Sequence, residues 1–193
     1  DTTPEGIRAL TREAADRWNK EGAEITRGVE GEAVRLLEAW LETDRWTNVQ
    51  SSSGRESEVP FHLRLPDGAS ITGRFDLVYR DAEGRWNVLD YKTSRVDGAP
   101  EEHVRTYYEL QQRAYGLAAS RLLRERFGHV AFTFLRACAD VVWEPDDASL
   151  SQAEERLRET IGACSDALQT GRFDKTEDVA RCLRCGYRAV CGR

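Results

Sequence analysis

Residues 73–92, Gly-Arg-Phe-Asp-Leu-Val-Tyr-Arg-Asp-Ala-Glu-Gly-Arg-Trp-Asn-Val-Leu-Asp-Tyr-Lys, constrain the chain more than any other stretch. Two apolar runs rich in Val, Phe and Tyr flank the turn-like Asp81-Ala82-Glu83-Gly84, which predicts a β-hairpin. Folding about Glu83 sets Asp76 opposite Asp90 and Val78 opposite Val88. Side chains alternate along a strand, so Asp90 and Lys92 share a face. Phe75, Leu77, Tyr79 and Leu89 are expected on one face of the hairpin and Val78 and Val88 on the other. Directly opposed like charges destabilise a sheet by ~0.2–1 kcal/mol. A hard cation such as Mg²⁺ or Mn²⁺ between Asp76 and Asp90 would reverse that sign.

The rest of the chain is read around this hairpin. Its 193 residues make one domain, or one with a small lobe, and are enough to bury a core. Starting at Asp1 rather than Met, it is expected to be part of something longer. A formal charge of −6 argues against a generally sticky nucleic-acid binder but leaves room for a local basic groove. No stretch approaches a membrane span and no signal peptide is evident, so a cytoplasmic protein without a membrane partner is expected. No Walker-type phosphate loop is present, so no nucleotide motor is carried here. Three of the five cysteines, Cys182, Cys185 and Cys191, crowd the C-terminus at a spacing suited to a metal clip rather than a disulfide framework. Three thiolates fall one short of the usual four.

In order along the chain, Thr3-Pro4 starts a helix whose Ile7, Leu10, Ala14 and Trp18 recur at helical spacing. A second helix over 25–41 has the stripe Ile25, Val29, Ala33, Leu36, Leu37 and Trp40, with Glu32 beside it as a solvated boundary residue. A polar loop over 50–55 follows. Alternation from Val59 to Leu65 predicts a half-buried strand with Pro60 at an edge or start, and Pro66-Asp67-Gly68 a turn. With the strand over 71–79 and the hairpin, these form an antiparallel meander. One long helix is expected over 102–127, with Tyr108, Gln111 and Tyr115 on one face. A strand over 130–135, its hairpin partner over 141–143 and a helix over 149–170 complete the core. That helix carries Leu150, Leu157, Ile161, Cys164 and Leu168 as a buried stripe, which makes Cys164 a core thiol. The segments divide as N-terminal helices over 1–50, a catalytic core over 56–145, a helix over 149–171 and a cysteine-rich tail over 173–193. The expected fold class is mixed α/β.

Taken together, Gly73-Arg-Phe-Asp76, Asp90-Tyr-Lys-Thr93, Gln111-x-x-x-Tyr115, Glu58-Val-Pro-Phe61 and the terminal Cys-x-x-Cys-x5-Cys resemble the RecB-like branch of the PD-(D/E)XK nuclease superfamily. The nearest likeness is to nuclease domains of AddB- and AdnB-type helicase–nuclease machines. The resemblance implies a restriction-endonuclease-like core, with a central mixed sheet flanked by helices. Two departures stand out. Arg27-Gly-Val-Glu-Gly-Glu32 puts Glu32 where the family's first motif has His, which makes Glu32 a candidate third metal ligand. No cysteine precedes Cys138, where the family's first cluster cysteine is expected.

What the resemblance implies is phosphodiester hydrolysis dependent on Mg²⁺ or Mn²⁺. Asp76, Asp90, Glu32 and the Tyr91 carbonyl would hold the metal. Lys92 would orient the attacking water or stabilise developing charge, and Gln111 and Tyr115 would position strand or water. Cys182, Cys185 and Cys191 would hold a [4Fe–4S] cluster, with zinc as the alternative. The implied partners are DNA, single-stranded where a helicase motor in the same chain or a partner subunit feeds it, in double-strand-break processing and recombinational repair. Tyr107, Tyr108 and Trp86 are candidate stacking platforms as well as candidate core residues. The competing readings are a stand-alone CRISPR-adaptation-type exonuclease and a catalytically degenerate DNA-binding domain.

Overall fold

The structure, a computed structural model, describes residues 3–22 and 25–191. Three helices lead: α1 (Pro4–Lys20), α2 (Arg27–Leu41) and α3 (Asp44–Gln50). Each begins on a threonine, Thr3, Thr26 or Thr43, whose hydroxyl accepts from a first-turn amide. This satisfies one of the donors that a helix start leaves unpaired. The strands β1 (Arg55–Arg64), β2 (Ser70–Arg80) and β3 (Trp86–Lys92) form the expected meander. A crossover through α4 (Pro100–Tyr107) and α5 (Glu109–Leu123) leads to β4 (Phe127–Phe134), parallel to β3. β5 (Ala139–Trp143) returns antiparallel to β4, and α6 (Asp147–Thr170), α7 (Val179–Arg184) and α8 (Arg188–Cys191) follow. The sheet order is β1-β2-β3-β4-β5. This is a mixed α/β fold: a five-stranded mixed sheet flanked by helices.

The hairpin register is the one the sequence predicts, with Val78 opposite Val88 and Leu77 opposite Leu89. The turn closes with Gly84 at φ +80°, a conformation glycine adopts without the Cβ clash other residues meet. The facing of the side chains differs from expectation. Phe75 joins Val78 and Val88 in the larger core, with Phe61, Tyr115 and Phe132. Leu77, Tyr79 and Leu89 pack on Val49 in a second, smaller cluster. Alternation therefore breaks between Phe75 and Leu77. In the facing strand Ser57 registers with Leu77 and Val59 with Phe75, while Glu58 between them stands at φ +56°. A left-handed residue inside a strand adds local twist and is costly for a side chain with a Cβ.

Three other expectations are corrected. The single helix over 102–127 is two, because Tyr108 sits at φ −127°, ψ 6° between α4 and α5. The stretch before the polar loop forms its own short helix, α3. Cys164 is exposed, not a core thiol, and Leu168 is 74% exposed. Only Ala153 and Leu157 of α6 are buried, because α6 packs on α5 with its N-terminal half and runs beyond the sheet.

Candidate active site

The site assembles where β2 and β3 part. Their ladder stops at Leu77–Leu89, and the Asp76 side chain takes over: its Oδ2 accepts from the Tyr91 amide at 2.8 Å. A carboxylate thus substitutes for a strand carbonyl and is fixed beside Asp90. Gly73, three residues earlier, has a packing role. A Cβ there would sit 2.4 Å from Cζ of Phe61. The Phe61 ring stacks on Phe75 with centroids 4.6 Å apart and meets Tyr115 edge-on at 5.7 Å. Gly73 therefore lets Phe61 close the aromatic floor that locates Tyr115 on α5.

From α5, Gln111 reaches the strand residues. Its Oε1 accepts from Lys92 Nζ at 2.8 Å, and its Nε2 donates to Asp90 Oδ1 and to the Tyr115 hydroxyl, each at 3.0 Å. Tyr115 in turn donates to the Arg74 carbonyl at 2.6 Å. Lys92 Nζ stands 2.5 Å from Asp90 Oδ2 and lies over the rings of Tyr108 (4.4 Å) and Phe132 (4.8 Å). Ring faces attract a cation, so the ammonium is held from below by the aromatics and from the sides by Gln111 and Asp90.

Asp90 is 2% exposed, and its Oδ2 is compensated by the Lys92 ammonium while its Oδ1 accepts from Gln111. A buried carboxylate is tolerated because it is paired in this way. Burial pushes the Asp90 carboxyl above its usual range, against the pull of Lys92 and with a further push from the Asp76 charge. The Tyr115 phenol is pushed up to about 12, burial again being the chief cause, so it stays a neutral donor. The donor set is two carboxylates, Asp90 paired with Lys92 and Asp76 with the Tyr91 amide, and hard oxygens of this kind suit a divalent cation. Among the described residues, however, no three His, Cys, Asp or Glu side chains are gathered in a metal-holding group.

Glu32 shows why. It lies on α2 and pairs with Arg136 of the β4–β5 turn, whose Nε also donates to the Thr93 carbonyl at 2.6 Å. The hydrogen bond that Arg136 Nη1 donates to Glu32, with the charges of Arg136, Arg35 and Arg95, lowers the Glu32 carboxyl below its usual range. Glu32 is thus tied to the end of β3, one residue past Lys92, with its carboxylate engaged by a guanidinium. The Tyr91 ring turns to the opposite face of the sheet, edge-on to Trp40 at 5.1 Å. Cys182, Cys185 and Cys191 lie on or between α7 and α8 as free thiols, Cys185 exposed and the other two half-buried, and do not gather into one cluster. The tail docks through Arg181, which donates to the Thr106 carbonyl at 2.9 Å. Of the candidate platforms, Trp86 and Tyr108 pack into the core, whereas Tyr107 is 46% exposed.

Sequence reasoning missed Phe132 and Arg136, which no local spacing connects to the hairpin. It also missed the polar lock on the other face. Arg45 from α3 donates to Asp140 Oδ2 at 2.9 Å and to the Tyr79 hydroxyl at 3.0 Å, and contacts His129 Nε2 at 3.1 Å. These partners are up to 95 positions apart in sequence. Burial and the adjacent Arg45 hold the His129 imidazole down at about 4.

No curated protein sequence matches. A crystal structure of a protein from Eubacterium rectale, described as a candidate exonuclease, superposes with a TM-score of 0.53 at 14% identity, covering 93% of this chain and 77% of that one. Likeness at that identity speaks to the fold alone. The protein SSO0001 aligns at 19% identity over 97% of this chain and 80% of its own, with a TM-score of 0.45. The family model for the PD-(D/E)XK nuclease superfamily matches residues 2–192. That span takes in the meander, the parallel crossover and every residue gathered around Lys92, and the chain belongs to the PD-(D/E)XK nuclease superfamily, with its restriction-endonuclease-like fold.

Proposed function

We propose that this protein is a metal-dependent nuclease that hydrolyses phosphodiester bonds, with Asp76, Asp90, Lys92, Gln111 and Tyr115 as its working residues. One observation carries the reading. Lys92 and the buried Asp90 stand 2.5 Å apart on one strand, bridged by Gln111. A lysine confined between two aromatic rings and a carboxylate is poor surface decoration. It is a pre-positioned charge.

Asp76 and Asp90 would hold Mg²⁺ or Mn²⁺, with the Tyr91 carbonyl as a further oxygen. When bound, the cation supplies Lewis-acid neutralisation of the scissile phosphate. The chain's own residues do the rest. Lys92, fixed by Gln111, offers its ammonium to the negative charge that develops on the phosphoryl oxygens. It costs little reorganisation because the rings of Tyr108 and Phe132 already locate it. Gln111 holds Lys92 and Asp90 in register, and Tyr115 holds Gln111 by anchoring it to the Arg74 carbonyl. Arg55 shares a shallow open groove with Asp76, Ser57 and Tyr91, which gives a nucleic-acid backbone a cationic contact beside Asp76.

Single-stranded DNA, exonucleolytic cutting and a helicase–nuclease setting in break repair are the finer parts of the proposal. They rest on the likeness of the motifs to that branch, on the exposed Tyr107 as a stacking surface, and on the description of the Eubacterium rectale fold neighbour as a candidate exonuclease. The tail cysteines belong to the same reading by their spacing alone; no step of the hydrolysis runs through an iron–sulfur or zinc centre.

The test is cleavage of end-labelled single-stranded DNA, with duplex DNA and RNA as comparators, in Mg²⁺, in Mn²⁺ and in EDTA. Divalent-dependent cleavage that Lys92→Ala abolishes is the expected result. No divalent-dependent cleavage of any substrate, or a Lys92→Ala variant as active as the parent, refutes the proposal.

A further inference from the structure

The helix α4 sets an aromatic shelf beside Lys92. His103 and Tyr107 lie one turn apart on it, with ring centroids 4.7 Å from each other. The helix breaks at Tyr108, whose ring turns in over Lys92 Nζ at 4.4 Å, while Tyr107 next to it stays 46% exposed. His103 touches both sides of that break. Its ring lies 5.8 Å from that of Tyr108 and meets Phe134 edge-on at 5.6 Å. The exposed Tyr107 is thus joined to the Lys92 ammonium by an unbroken run of ring contacts, through His103 and then Tyr108.

Tyr107 packs into neither hydrophobic cluster, yet its ring is located by His103 below and by the tail beside it. From the tail, Arg181 donates to the Thr106 carbonyl at 2.9 Å, and its guanidinium stands 5.9 Å from the Tyr107 ring centroid. Attraction of a cation to a ring face reaches to about 6 Å, so this guanidinium borders the ring without closing it. A flat, half-exposed ring with a cation at its margin matches a nucleotide on both counts. The base offers a π-face to the ring and its phosphate a negative charge to the guanidinium. An apolar peptide would use the ring and leave the cation unmatched.

We propose that His103 and Tyr107 form a base-holding subsite for an unpaired nucleotide flanking the phosphate that Lys92 faces. Tyr107 stacks on the base, and His103 fixes the Tyr107 ring against the same aromatics that locate Lys92. A base inside a duplex has both faces covered by its neighbours and cannot lie on Tyr107, so the subsite admits single strands and frayed ends. Strand selection then resides in α4, apart from the carboxylates, and it tolerates any sequence because every base has a π-face. This rests on the nuclease reading above, and deepens it by naming where a base is held.

The test uses binding, not turnover. Affinity for a fluorescein-labelled oligothymidylate is measured by anisotropy in Ca²⁺, beside a strand of the same length made of abasic nucleotides. Both strands carry the same phosphates, so their difference reads contacts to bases alone. The parent should prefer the intact strand. Tyr107→Leu keeps an apolar contact for His103 but offers no aromatic face. It should lose roughly 5- to 100-fold in affinity for the intact strand, the range of one base–aromatic stack, and bind the abasic strand as the parent does. Tyr107→Trp should keep the preference or increase it. Tyr107→Leu that binds both strands like the parent, or weakens both equally, overturns the subsite and leaves the nuclease reading standing. So does a parent that binds intact and abasic strands alike. A parent that binds neither strand and cleaves no substrate with divalent cations refutes the nuclease reading and the subsite with it.

Discussion

Replacing Gln111 with Met tests whether the bridge between Lys92 and Asp90 matters to the chemistry or only to packing. Met has similar length and fills the same space, but it cannot accept from Lys92 Nζ at 2.8 Å or donate to Asp90 Oδ1 at 3.0 Å. A hydrogen bond to a charged partner is worth about 1.5–3 kcal/mol, so losing both sets a ceiling of about 3–6 kcal/mol. Two contacts lower the figure. Lys92 keeps its direct pair with Asp90 at 2.5 Å, and Tyr115 keeps its bond to the Arg74 carbonyl at 2.6 Å. About half the ceiling, ~1.5–3 kcal/mol, should appear in the barrier, which is a drop of about 10- to 100-fold in kcat. The variant also removes a donor from a carboxylate that burial already raises, so the acid limb of the pH–rate profile should move to higher pH. Single-turnover cleavage across a pH series, with thermal melts as a control, reads both effects. A variant that melts like the parent and shows the same rates at every pH would refute the claim that Gln111 positions the pair.

Two further outcomes follow from the packing. Gly73→Ala puts a methyl against the Phe61 ring, itself confined by Phe75 and Tyr115, and should cost ~1–3 kcal/mol in urea unfolding; unchanged stability would contradict the close approach. His129 is held near 4 in the fold against an ordinary value of 6.5, by burial and by Arg45 of α3, with Arg85 in the same sense and Asp81 and Asp140 opposing. The unfolded chain then takes up a proton that the fold refuses, so this histidine's contribution is intact above pH 6.5 and is lost as pH falls towards 4. It amounts to up to about 3 kcal/mol. His129→Gln should flatten that part of the stability–pH curve, and an unchanged curve would show that another group titrates there.

What could be read from the sequence was local. The hairpin register follows from the turn and the period-two pattern as far as Leu77–Leu89; the expected pairing of Asp76 with Asp90 beyond it is absent from the ladder, where the Asp76 side chain takes the Tyr91 amide instead. The meander and the β4–β5 hairpin are equally local. Tyr108 breaks the long helix without a Gly or Pro to announce it, because the tertiary contacts of its ring with Lys92, Phe132 and Phe134 outweigh helix propensity. Phe75 changes sides because Glu58, on the neighbouring strand, adopts a left-handed conformation that no residue type there signals. Cys164 has the spacing of a buried position but lies where α6 has outrun its partner. The Arg45 lock and the Arg136–Glu32 pair join residues far apart in the chain, and such pairings exist only once the crossover has brought the elements together.

The central claim is that a divalent cation sits between the carboxylates of Asp76 and Asp90. Mn²⁺ soaked into crystals of the protein and located by its anomalous scattering tests it most directly. The account predicts an anomalous peak in contact with both carboxylates, which Asp90→Asn weakens or removes. A peak elsewhere with none at this pair, or no peak at saturating Mn²⁺, would contradict it.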